Sequence, residues 1–88
     1  MVEVIQEYSS RVVDTEGFTY IARSCAEQRA DGTWIGWLEF HPIDAGKPVL
    51  RTDQETSQPN RSTVEYWASG LEPIYFEGAL ARAHEAES

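Results

Sequence analysis

The stretch from Phe18 to Phe40, FTYIARSCAEQRADGTWIGWLEF, constrains the fold more than any other part of the chain. Both halves alternate with the two-residue period of a strand, and Ala30-Asp31-Gly32 between them is turn chemistry, so the segment reads as a β-hairpin. The length of the turn decides which side chains share a face. A two-residue turn at Asp31-Gly32 would pair Arg29 with Trp34, Cys25 with Leu38 and Arg23 with Phe40, mixing charge into the apolar side of the second strand. A three-residue loop, Ala30-Asp31-Gly32, with Gly32 in the left-handed conformation that closes a bulge, moves the pairing by one. Side chains alternate along a strand, so that one step exchanges the faces of one strand relative to the other. Phe18, Tyr20, Ala22, Ser24 and Ala26 then lie with Trp34, Gly36, Leu38 and Phe40, while Arg23 stands opposite Glu39 on the other side. This is the register expected. It leaves Ile21, Cys25, Ile35 and Trp37 on the back face, among Arg23, Glu27, Glu39 and His41.

The remaining segments supply further elements. Val2 to Tyr8 has apolar residues at Val2, Val4, Ile5 and Tyr8, which fit neither period, and a short strand and a helical turn both stay open. Arg11-Val12-Val13-Asp14 with Thr15-Glu16-Gly17 reads as a short strand feeding a turn. After Phe40, Pro42 and Asp44-Ala45-Gly46-Lys47-Pro48 stop the second hairpin strand, and Val49-Leu50-Arg51-Thr52 resumes in extended form. From Thr56 the pattern turns helical: Thr56, Ser57 and Asn60 are capping residues, and Pro59 suits a first turn. Val64, Trp67, Ala68 and Leu71 make a buried stripe. Gly70 and Pro73 mark a junction before a second apolar run of Ile74, Tyr75, Gly78, Ala79, Leu80 and Ala83. One kinked helix or two are both compatible with residues 60–85, and the tail from His84 is expected to fray. Together these give an α+β domain, an antiparallel sheet of three to four strands with a C-terminal helix or kinked helix pair packed on one face.

Eighty-eight residues make a single domain, 1–88, with one modest core. Fifteen acids against seven bases give a formal charge of −8, which disfavours direct nucleic-acid binding, since that needs lysine and arginine to neutralise phosphates. One cysteine allows no internal disulfide, and no run approaches the ~18 apolar residues of a membrane span. Met1 to Arg11 lacks the pattern of a secretion signal, so the expectation is a cytoplasmic protein with no membrane attachment.

Reaction chemistry is hard to find. His41 ends a strand with no nucleophile to serve, His84 reads as a solvated tail residue, and neither has a partner at metal-ligand spacing. Arg23 near Cys25 could activate its thiol, but a lone strand cysteine reads first as a small apolar packer. The Gly46-Lys47 pair lacks the rest of a phosphate loop. Asp53, Glu55, Glu65, Glu72 and Glu77 are scattered over several elements and read as a solvated acidic surface. No catalytic residue, metal site or cofactor is expected. Trp34 and Trp67 read as core, whereas Trp37 is either covered by the N-terminal segment or serves as an interface anchor.

Asp31-Gly32-Thr33-Trp34 entering a strand, followed by Thr52-Asp53-Gln54-Glu55-Thr56 leading toward a helix at Asn60, resembles the HicB-like antitoxin domains over residues 18–72. Gln54 stands where that family places a glycine. The resemblance implies an acidic α+β protein that binds a basic toxin partner and performs no catalysis.

The functional expectation is a non-enzymatic protein-interaction module that homodimerises or binds a basic protein through the sheet face, with Ile21, Ile35 and Trp37 as candidate interface residues. The alternative is a small-ligand or enzymatic accessory domain with a pocket between sheet and helices near Tyr20, His41, Tyr66 and Tyr75, whose polar-tipped rings suit a binding site.

Overall fold

The computed structural model of the chain, which describes residues 1–87, closes the hairpin with the three-residue loop. Strands β2 (Thr19–Gln28) and β3 (Trp34–Pro42) pair antiparallel, with Arg23 opposite Glu39 and Gln28 opposite Trp34. The Arg29 amide donates to the Thr33 carbonyl at 2.7 Å and the Gly32 amide to the Arg29 carbonyl at 2.9 Å. Asp31 stiffens the loop by accepting from the Thr33 amide at 3.0 Å and its hydroxyl at 2.6 Å. Gly32 adopts φ +91°, a conformation that glycine reaches without a Cβ penalty.

The N-terminal residues form one long strand, β1 (Glu3–Val13), antiparallel to β2, rather than a helical turn and a separate short strand. The pairing slips at Ile5, between Val4 and Gln6, and again between Glu7 and Arg11. Each slip inserts unpaired residues and resets the alternation, which is why the apolar spacing of Val2, Val4, Ile5 and Tyr8 matches no single period.

The free edge of β3 is shared by two short strands, β4 (Leu50–Arg51) and β5 (Thr56–Gln58), each antiparallel to it. Between them Thr52 spends its backbone and side chain on Leu38: its amide donates to the Leu38 carbonyl at 2.9 Å and its hydroxyl accepts the Leu38 amide at 3.0 Å. Thr56 and Ser57 are therefore strand, not helix start. The cap is Asn60 alone, whose side chain accepts from the Thr63 amide at 3.0 Å.

The last third is two helices, α1 (Arg61–Ser69) and α2 (Pro73–Glu87), separated at Gly70. Val64 and Ala68 are the buried positions of α1, with Trp67 and Leu71 half-buried beside them. On α2 the buried stripe is Phe76, Ala79, Leu80 and Ala83, and Ile74 points to solvent. Both helices lie on the face that carries Tyr20, Ala22, Leu38 and Phe40, and these form one core with Tyr8, Val12 and Leu50. The Tyr8 hydroxyl reaches across to donate to the Ala68 carbonyl at 2.7 Å, tying β1 to α1. Among the described residues no helix is long and apolar enough to cross a membrane.

Gly36 sets how closely α1 approaches the sheet. A Cβ there would lie 3.0 Å from the Thr56 methyl and 3.2 Å from the Trp67 ring, so the missing side chain is the seat of that tryptophan. Gly36→Val is expected to lower stability by about 1–3 kcal/mol through overpacking. Urea denaturation checks this, and an unchanged midpoint would contradict it.

Candidate protein interface on the open sheet face

Because both helices pack on one side, no helix of the described residues covers the opposite face of the sheet. Strand register aligns its side chains in rows. The central row runs across four strands: Glu7 on β1 beside Arg23 on β2, Glu39 on β3 and Arg51 on β4. The signs alternate along it. Arg23 Nε lies 3.2 Å from Glu7 Oε2, and Glu39 Oε1 lies 3.0 Å from His41 Nε2. Pairs this exposed contribute at most ~1 kcal/mol each, so the row is better understood as a pattern of charge than as a source of stability.

Trp37, one row away, is the most thoroughly covered of the three tryptophans, at 1% exposure. Trp34 and Trp67, expected as core, are both half-buried. The cover is not the N-terminal segment, which pairs edge-on as β1. The Arg51 guanidinium stacks 4.1 Å from the Trp37 ring, and the indole N–H donates to Glu39 Oε2 at 3.3 Å. A large apolar ring on a sheet with no helical layer is thus shielded by a cation and a carboxylate from its own face. As an exposed anchor Trp37 is ruled out in the single chain. Ile21 and Ile35 are half-buried, and the aliphatic surface most open to solvent on this face comes from β1, where Val4 and Val13 are 55% and 57% exposed.

Three arginines (Arg11, Arg23, Arg51) and three glutamates (Glu7, Glu27, Glu39) occupy the strand positions of this face, which is therefore neutral on a chain of charge −8. Burial pushes the Glu39 carboxyl upward, but the bonds from His41 and Trp37 outweigh it and hold it below its ordinary value. The same environment silences Cys25. Burial, then the neighbouring Glu39 charge, pushes its thiol up to about 12 against the weaker pull of Arg23 and Arg51, so the cysteine is an inert packer.

The residues expected to form a pocket do not converge. Tyr20 is buried under the helices, and His41 lies on the other side of the sheet. Tyr66 is 83% exposed on α1. Tyr75 donates to Glu55, which also accepts from Arg82 at 2.5 Å. Burial, then this carboxylate, raises the Tyr75 phenol to about 12. A crevice of about 440 Å³ does exist, but between the β1–β2 turn and α2, walled by Asp14, Thr15 and Glu16 on one side and Glu77, Leu80 and His84 on the other. Tyr20 is not part of its walls; its ring stands edge-on to the His84 imidazole at 6.1 Å, and burial, then Asp14, raise its phenol above the ordinary value.

Asp14 organises that region. Its carboxylate accepts from the amides of Glu16 and Phe18 at 3.0 and 2.9 Å and lies 3.0 Å from His84 Nε2, with its side chain only 5% exposed. His84, expected in a fraying tail, is instead a helical residue that fastens α2 to the turn. Sequence carries no signal for this contact, which joins residues 70 apart. Among the described residues no three His, Cys, Asp or Glu side chains gather as a metal-binding group.

Compared with known proteins, the chain matches no family model, no curated protein and no solved structure. The resemblance to HicB-like domains therefore rests on Asp31–Trp34 and Thr52–Thr56 alone.

Although burial opposes it, the two amides and His84 keep the Asp14 carboxyl below its ordinary value. A carboxyl depressed in the folded state stabilises above its unfolded pKa of ~3.9 and loses that contribution as pH falls through the folded value. Asp14→Asn is accordingly expected to be less stable than wild type at about pH 7 and to approach it at about pH 2, measured as urea midpoints. A difference that is constant with pH would show that the Asp14 charge does not carry the effect.

Proposed function

We propose that this chain is a protein-interaction module that docks its partner through the open face of the sheet. The observation that carries the reading is the charge distribution. A net charge of −8 lies wholly outside this face, whose three arginines and three glutamates balance. Arginine is enriched at protein interfaces because its planar guanidinium makes paired hydrogen bonds and stacks on rings, as Arg51 already does on Trp37. Ile21 and Ile35 supply half-buried apolar area within the face, and Val4 and Val13 extend it along β1. Affinity capture from source-cell extract with the wild-type chain, Arg23→Glu and, on the helical side, Tyr66→Ser tests it. Chains held by wild type and Tyr66→Ser should be lost with Arg23→Glu, and an identical set for all three would overturn the proposal.

The crevice between the β1–β2 turn and α2 favours a second reading, a small-ligand site. Its volume of about 440 Å³ falls within the range of ligand pockets, and it combines the apolar Leu80 with acidic walls at Glu16 and Glu77. Amide chemical shifts of Thr15 and Leu80 should then respond to amine-bearing fragments. Shifts that stay fixed across such a library would remove this reading.

A further inference from the structure

We infer that the partner seated on the open face is a second copy of this chain, related by a two-fold axis running along the strands between β2 and β3; this rests on the reading of that face as an interface. The row Glu7, Arg23, Glu39, Arg51 alternates in sign across four strands. Turned over about such an axis, the row presents itself in reverse order. Glu7 meets Arg51 of the second copy, and Arg23 meets its Glu39. Every contact along the row then joins opposite charges, and symmetry makes each of them twice. A row with like charges at its mirror positions would stack like on like under the same operation, so self-complementarity is a property of this particular order. In the adjoining rows the axis brings Cys25 over Trp37 and Ile21 over His41, which places no like charges against each other.

Charge also singles out the face among the surfaces a second copy could use. Two chains of −8 repel wherever their acidic surfaces meet, whereas the strand positions of the open face sum to zero. Sheets stacked face to face stand ~10 Å apart, a gap that interleaved arginine and glutamate side chains span. Three long strands and the edge shared by β4 and β5, ~4.8 Å apart and spanning about seven residues, give a footprint on the order of 400 Å² per copy. That is about half the area usual for a stable complex, so the dimer is a weak one, dissociating in the micromolar range.

Two double variants isolate the stacked row from the ion pair within each chain. Glu7→Arg with Arg23→Glu preserves the ion pair between β1 and β2 in reversed sense, gives up the pairing with Glu39, and makes every stacked contact like-charged. Glu7→Arg with Arg51→Glu changes the chain by the same number of charges yet leaves the reversed row complementary. Sedimentation of the purified chain from about 1 to 500 µM should show a concentration-dependent wild-type dimer. The first variant should weaken it by about a hundredfold or more, with its thermal midpoint lowered only modestly by the second carboxylate set opposite Glu39 on β3, and the second should keep it within about tenfold of wild type. A wild type that stays monomeric over this range, or a dimer that survives the first variant, would overturn the inference. If the wild type is monomeric but affinity capture still depends on Arg23, the interface stands with a different partner; if capture is also indifferent to Arg23, both readings fall.

Discussion

One torsion angle governs much of this molecule. Gly32 at φ +91° allows three residues rather than two to turn the chain between β2 and β3. That parity places Leu38 and Phe40 on the side of Ala22 and Tyr20, where the helices can bury them, and sends Arg23, Glu39 and Trp37 to the other side. With the opposite parity the helical layer would meet arginines, and no arrangement of α1 and α2 could compensate for burying them unpaired. The strongest structural decision in the chain is therefore made in three residues, before any helix is needed.

The second consequence of that parity is a sheet with two unlike surfaces. The core side is sealed by tight approach, with Trp67 against Gly36 and the Tyr8 hydroxyl on the Ala68 carbonyl. The open side is sealed by charge. Arg51 stacks on the Trp37 ring and Glu39 accepts its indole N–H, which lets a large apolar group sit on a face without a helical cover. The same residues are members of the alternating row, so the side chains that shield the tryptophan are also the ones the proposed interface would use. A ring covered by an arginine is also a ring from which the arginine can be recruited.

Much of this is legible in the sequence because it follows from local rules. Turn chemistry at Ala30-Asp31-Gly32 and strict alternation specify the hairpin, its register and the Arg23–Glu39 pairing. Gly70 and Pro73 mark the break between the helices. The features that escape a sequence reading are set by tertiary contacts. The bulges in β1 erase the period on which strand recognition depends. Thr56 and Ser57 look like caps because hydroxyl residues serve equally well at a helix start and on a strand edge, and only the pairing with Ile35 and Gly36 selects the strand. Alternation puts Trp37 on the correct face, but its cover comes from Arg51, in a strand of two residues. The Asp14–His84 contact closes a span of 70 residues, and neither residue has a neighbour in sequence that announces it.

The slips in β1 have an effect beyond the reading of its pattern. At 11 residues this is the longest strand among the described residues, and it borders the sheet, with no strand of the described residues paired on its outer side. A straight border of that length would be a template for adding strands from other molecules without end. Two irregularities within it bend and twist the ladder, so that an incoming strand could match only a few consecutive residues before losing step. The irregular border thus limits how far strand-by-strand addition along β1 could run.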